Sequence, residues 1–120
     1  MKYMLSIYGN DELWASYSEE RFASLIAADA AFQKEIRESG ELVSVEGLAD
    51  SVKAKTVRVR DGLPVVTDGP YLRSKDYLAS YFVVDCESLD RAIELAARYP
   101  AARDNGVEVR PLMNQSGTEI

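Results

Sequence analysis

Three charged side chains could do chemistry in this sequence: Asp68, Lys75 and Arg110. Asp68 could act as a base or a ligand anchor, or it could stiffen its own loop by accepting from nearby backbone N–H groups. Lys75 could pair with Asp68 or hold an anionic ligand; its structural alternative is a surface ion pair of small energetic value. Strand alternation puts Arg110 on the same face as Glu108. From a cleft wall its planar fork could grip a carboxylate through two hydrogen bonds; otherwise it pairs with Glu108 or with a partner subunit. Tyr8, Trp14, Tyr77 and Tyr81 could line an aromatic pocket, or belong to the core or to a dimer interface. The 120 residues contain no histidine. The commonest general base and metal ligand near neutral pH is therefore missing, and any chemistry falls to carboxylates, Lys, Tyr, Cys or a borrowed group.

The remaining motifs exclude more than they suggest. Cys86 is the single cysteine. It allows no disulfide within the chain and no zinc site of several thiolates, and it reads as a small buried hydrophobe. Asp11-Glu12 and Glu19-Glu20 are loop and helix-start charges, too few to meet the ligand count of Mg²⁺ or Ca²⁺. P-loop, dinucleotide fingerprint and nucleophile elbow are all absent. Neither a cofactor nor a metal is expected. The net charge of −6, from 14 basic and 20 acidic residues, disfavours non-specific binding to nucleic acid. A local positive band runs from Lys53 to Arg60. Read as a strand it puts Arg58 and Arg60 on one face and Val57 and Val59 on the other, a solvated sheet face. The apolar start, Met1 to Tyr8, is too short for a signal peptide, and no run reaches transmembrane length. The expectation is a cytoplasmic protein without membrane contact.

These candidates must be positioned by a small number of elements. Asp68 and Lys75 lie in Thr67–Asp76, a polar stretch kinked at Gly69-Pro70 between two apolar runs. Gly69 supplies freedom in φ and Pro70 fixes it. Tyr3, Leu5 and Ile7 alternate with Met4, Ser6 and Tyr8, which predicts a first strand over residues 2–8. Trp14 and Tyr17 fall in a loop or short helical turn. Ser18 is a suitable N-cap for a helix whose apolar stripe is Phe22, Leu25, Ile26, Ala28, Phe32 and Ile36, and Gly40 suits its left-handed end. Strands follow at Leu42–Glu46 and Lys55–Arg60. Asp61-Gly62 signals a two-residue hairpin into Leu63–Thr67, where Pro64 argues for an edge. Tyr77–Val84 is apolar on both faces and reads as a central strand. Ser88 caps a second helix with Leu89, Ala92, Ile93, Ala96 and Ala97 on its apolar face, ended by Pro100. The last strand is Val107–Leu112, and residues 113–120 form a polar tail or an arm across a partner.

The order β-α-β-β-β-β-α-β, with the hairpin near the middle, describes one domain over residues 1–112. Its class is α+β: a ferredoxin-like sandwich with an antiparallel sheet and two helices on one face. The other sheet face carries Leu, Val and Tyr and has no second layer within 120 residues. Packing against a second copy is the simplest cover, so a homodimer is expected.

Asp68-Gly69-Pro70-Tyr71 followed by Lys75-Asp76 resembles the signature of the DGPF branch of the YCII-related family. The likeness continues in Tyr81-Phe82-Val83-Val84, in the helix from Leu89 to Pro100, and in Val107-Glu108-Val109-Arg110-Pro111. It implies a dimeric α/β-barrel type of assembly. Many family members sit in bacterial operons with extracytoplasmic-function sigma factors, which implies a regulatory or ligand-binding accessory role and a sigma factor as partner. Tyr71 replaces the usual Phe, Arg73 stands where Glu is usual, and Ser80 and Tyr99 stand where Gly and His are common. YCII relatives carry a His–Asp pair with a proposed catalytic role, which a chain without histidine does not reproduce. Two functions are therefore carried forward. One is a small dimeric accessory that binds a small molecule. The other is a cofactor-free enzyme acting on a small anionic or aromatic molecule in a cleft near Asp68 and Arg110. The candidate pocket residues are Asp68, Gly69, Pro70, Lys75, Tyr81 and Arg110.

Overall fold

Strand β1 (Lys2–Gly9) sends Tyr3, Leu5 and Ile7 to one face, where each is buried, as strand alternation requires. The computed structural model in which this is seen describes residues 1–114. β1 pairs antiparallel with β5 (Tyr77–Asp85) and with β6 (Val107–Pro111), and β2 (Leu42–Gly47) pairs antiparallel with β5. The sheet order is β2-β5-β1-β6. Helices α2 (Glu19–Glu38) and α3 (Leu89–Arg98) are its crossovers, giving the expected ferredoxin-like α+β arrangement. β5 lies inside the sheet, as its two apolar faces suggested. A short helix, α1 (Asp11–Ser16), is added after β1. The Asn10 side chain accepts from the Leu13 N–H at 2.7 Å, and Asp11 and Glu12 sit in the first turn near the positive dipole end.

The caps of the longer helices follow the sequence. Ser18 accepts from the Arg21 N–H at 3.0 Å and Ser88 from the Arg91 N–H at 3.1 Å. At the end of α2, Gly40 takes φ 81°, and the N–H groups of Gly40 and Glu41 reach back to the carbonyls of Arg37 and Ile36. That reciprocal pair satisfies two otherwise unpaired carbonyls, and only glycine adopts this backbone without strain.

The core lies between the sheet and the helices. Phe32 and Ile36 of α2, Ala92, Leu95 and Ala96 of α3, and Phe82 and Val84 of β5 meet the buried side chains of β1. Phe32, Phe82 and Tyr99 form an edge-on trio with ring centroids 5.6–5.7 Å apart. Both helices bury a different part of their apolar stripe than the periodicity implied. In α3 the Ala92-Leu95-Ala96 row faces the sheet, while Leu89 and Ile93 stay exposed. The small alanines let the helix approach closely. In α2 only the C-terminal half of the stripe reaches the core; Phe22 and Ile26 border a cavity instead.

β3 (Lys55–Arg60) and β4 (Leu63–Asp68) make a separate two-stranded sheet. Asp61 (φ 51°) and Gly62 (φ 78°) form its tight turn, the pairing that Asp-Gly favours. Both of its strands are edges, which accommodates Pro64. Among the described residues no helix is long and apolar enough to cross a membrane. The expected tail falls from residue 115 onward outside the described residues.

Candidate functional site

Between β1 and β5 the register slips. Ile7 pairs with Ser80 but Tyr8 pairs with Leu78, so Ala79 is an extra residue on β5. Such a bulge re-aims the side chains beside it. Ser80 stays on the helix side with Phe82 and Val84, while Leu78 turns with Tyr8 to the far face. On the helix side the slip opens a cavity of about 210 Å³. Leu13 and Trp14 of α1 close one wall and Phe22, Leu25 and Ile26 of α2 another. Asp29, Ser80, Tyr99 and Asn105 supply polar groups to an otherwise apolar lining.

The polar groups are held in definite ways. The Tyr99 hydroxyl faces the Asp29 carboxylate and the Ser80 hydroxyl in this lining. Burial raises the Tyr99 pKa, and the neighbouring Asp29 charge and its hydrogen bond raise it further. Tyr99 is therefore a fixed, neutral phenol, suited to hydrogen bonding and unsuited to serve as a base near neutral pH. Gln33 Nε2 donates to Asp29 Oδ2 at 2.7 Å and anchors the carboxylate from one helical turn away. Ser80 and Tyr99, the two positions where the family resemblance has Gly and His, thus line the same cavity.

At the mouth, Tyr17 Oη and Arg21 Nη2 both donate to Asp104 Oδ2, at 2.9 and 2.7 Å. Burial pushes the Asp104 carboxyl up, but the hydrogen bonds from Tyr17 and Arg21 outweigh it and hold the group below its ordinary value. Tyr17 moves the other way, upward, by burial and by its bond to Asp104. Trp14 Nε1 donates to Tyr77 Oη at 2.8 Å, and Tyr77 Oη donates to Asp11 Oδ1 at 2.7 Å. The Trp14 ring lies so close to Gly9 that a Cβ there would come within 1.9 Å of it. Gly9 is what lets the indole lie over the end of β1.

The residues singled out in the sequence take other places. Asp68 ends β4, with its side chain 85% exposed, and pairs with Lys55 across the hairpin rather than with its own loop. Lys75 pairs with Glu12 at 3.1 Å, also at the surface. Arg110 is exposed and pairs in register with Met4, on the sheet face away from the helices; Tyr81 lies on that same face of β5. No ion pair joins Asp68, Lys75 and Arg110 among the described residues. Gly69 takes φ 101°, donates to the Ala54 carbonyl at 2.8 Å and accepts from Thr56 Oγ1 at 2.9 Å. Arg73 donates to the Asp68 carbonyl at 3.2 Å, and Arg58 lies 5.4 Å from the Tyr71 ring centre. These bonds tie the signature stretch to the hairpin base. Pro70 lines a second, wider cavity of about 610 Å³ there, with Tyr8, Leu72, Asp76, Tyr77 and Leu78.

Sequence reasoning missed Asp29, Asn105 and the joint role of Ser80 and Tyr99. A signal for Asp29 was present: it is a lone carboxylate between Ala27-Ala28 and Ala30-Ala31, in an otherwise uncharged stretch from residue 22 to residue 33. Among the described residues no three acidic or cysteine side chains converge on a point where a metal could sit.

Comparison with known proteins adds two findings. The YCII-related domain matches residues 1–116. An uncharacterized protein of Rhizobium meliloti (strain 1021) is 31% identical over 114 residues, covering 93% of this chain and 92% of its own length.

Proposed function

The chain belongs to the YCII-related family, and on that premise we propose that it is a cytoplasmic, homodimeric accessory protein that binds a small ligand in the cavity between α1, α2 and β5. The observation that carries this reading is the polar floor made by Asp29, Tyr99 and Ser80 beneath apolar walls. Such a site recognises a molecule with one hydrogen-bonding head and an aromatic or aliphatic body. At about 210 Å³ the cavity lies below the roughly 300–1,000 Å³ usual for drug-sized ligands, so the ligand is small. The Asp29 carboxylate disfavours an anionic head and favours a neutral or cationic one. The firmly held Tyr99 proton supports binding over acid–base catalysis. Homodimerisation is supported by the sheet face opposite the helices, where Met4, Tyr8, Tyr81 and Val83 are only half-buried.

Calorimetry with benzylamine, phenol and benzoate tests the binding reading. Benzylamine and phenol are expected to bind and benzoate to be rejected. Tyr99→Phe, which keeps the ring trio but removes the hydroxyl, is expected to weaken phenol binding about tenfold, the loss of one hydrogen bond worth about 1.4 kcal/mol. Preferential binding of benzoate, or identical affinities in wild type and Tyr99→Phe, would sink the proposal. A sigma factor as partner, implied by resemblance alone, is tested by pull-down with the purified factor; failure to associate removes it.

A further inference from the structure

We propose that the β3–β4 hairpin is a dimerisation arm whose apolar face seats on the open sheet face of a second copy. The inference rests on the homodimer reading and names the element that holds the dimer. Cross-strand register puts Val57 opposite Val66 and Val59 opposite Pro64, so these four share one face of the ribbon. Val57, Val59 and Val66 are each 59–64% exposed. The opposite face carries Arg58 and Arg60, and there Tyr71 of the same chain packs against Arg58. The opposite face also holds Leu63 and Val65 and is itself exposed; the face of Val57, Val59, Pro64 and Val66 carries charge only at its Lys55–Asp68 end. A two-stranded ribbon with a bare apolar face is marginal in water on its own.

Shape and charge identify the occupant. The molecule measures 49 × 45 × 19 Å with a radius of gyration of 16.6 Å, against about 14 Å for a compact chain of this length. Nineteen ångströms accommodates one sheet and one helix layer. The sheet face opposite the helices therefore lacks a third layer among the described residues, while the hairpin stands apart from the core. One chain has a bare arm and a bare face; two chains related by a two-fold axis cover both at once, in two identical contacts. Residues 53–75 carry six cations and two anions, whereas the rest of the chain carries eight cations and eighteen anions. The open sheet face presents exposed Glu46 and Glu108 with Arg110 beside them. A basic arm is thereby steered to the acidic remainder of a second copy, and arm is kept apart from arm.

Light scattering and cross-linking of the full chain test the arm. Wild type is expected to have dimer mass at micromolar concentration. The double variant Val57→Lys/Val59→Lys is expected to have monomer mass with an unchanged circular dichroism spectrum. Val59→Cys chains mixed with Val83→Cys chains are expected to form a mixed disulfide dimer on oxidation; the native Cys86 is buried. A monomeric wild type overturns both the arm and the homodimer reading. A dimeric wild type with a dimeric lysine variant overturns the arm and leaves the dimer standing. Val59→Cys chains that cross-link to one another in preference to Val83→Cys chains overturn the seat on the sheet.

Discussion

The sheet core and the β3–β4 hairpin use the same vocabulary to opposite ends. Both alternate Val and Leu with polar residues, both pair antiparallel, and both are bounded by glycine turns. In the core the alternation is matched by a helix stripe from the same chain, and Leu5, Phe82, Val84 and Leu95 are at most 1% exposed. In the hairpin Val57, Val59 and Leu63 remain 60–68% exposed. Alternation therefore specifies which face wants cover but not who supplies it. The core answers within the chain, and the hairpin points outside it.

The widest separation between the two regions is expected in stability. Phe82→Ala removes the centre of the Phe32–Phe82–Tyr99 trio and should cost about 3–5 kcal/mol in urea unfolding. Val59→Ala should change the unfolding free energy of the monomer by less than about 0.5 kcal/mol. Comparable losses for the two would mean that the hairpin is packed within its own chain, and the contrast would fail. Gly9→Ala probes the boundary between core and cavity. The Cβ it adds overlaps the Trp14 ring, so either the strand end or the indole must move. The expected cost is roughly 1–3 kcal/mol, with a shift in tryptophan fluorescence as the Trp14–Tyr77 bond breaks. A stable variant with unchanged emission would show that Trp14 is not seated on β1.

Much of this could be read from the residues because local chemistry dictated it. Ser18, Gly40, Asp61-Gly62 and Ser88 each solve a problem set within four residues, and each was legible. The inside position of β5 followed from its two apolar faces. The cavity was not legible, because it depends on one unpaired residue, Ala79, whose slip no alternation pattern reveals. Ser80 and Tyr99 line that cavity from two separate segments, and nothing in the spacing brings them together. Asp68 drew attention because its loop is distinctive. Distinctive loops also arise where a chain must fold back on itself, and the bonds of Gly69 and Arg73 do that here.

Acid should divide the two regions as well. Arg91 Nε and Nη2 donate to the two oxygens of Glu41 at 2.9 and 2.8 Å, tying the start of β2 to α3. Those hydrogen bonds hold the Glu41 carboxyl below its ordinary value, against burial, which pushes it up. A depressed folded-state pKa contributes stability that is fully present above the unfolded value of about 4.3 and is lost as pH falls through the folded one. Acid titration of wild type should therefore show lost stability below about pH 4. Glu41→Gln should lower stability at neutral pH and shrink that acid-dependent part. An unchanged acid limb in Glu41→Gln would assign acid sensitivity to other carboxylates.

The smallest effect is expected where the signature stretch meets the hairpin. Lys55 and Asp68 pair with side chains 60% and 85% exposed, so water already screens the attraction. Lys55→Ala should cost less than about 1 kcal/mol, falling further at high salt. The backbone bonds of Gly69 remain in that variant, and they fix the loop. Gly69→Ala should therefore cost more than Lys55→Ala, because φ 101° strains any residue with a Cβ. If Lys55→Ala proved the more damaging of the two, the signature carboxylate would hold the loop by its charge. The stretch would then join the core in being specified from within, and the hairpin would lose part of its claim to be built for a partner.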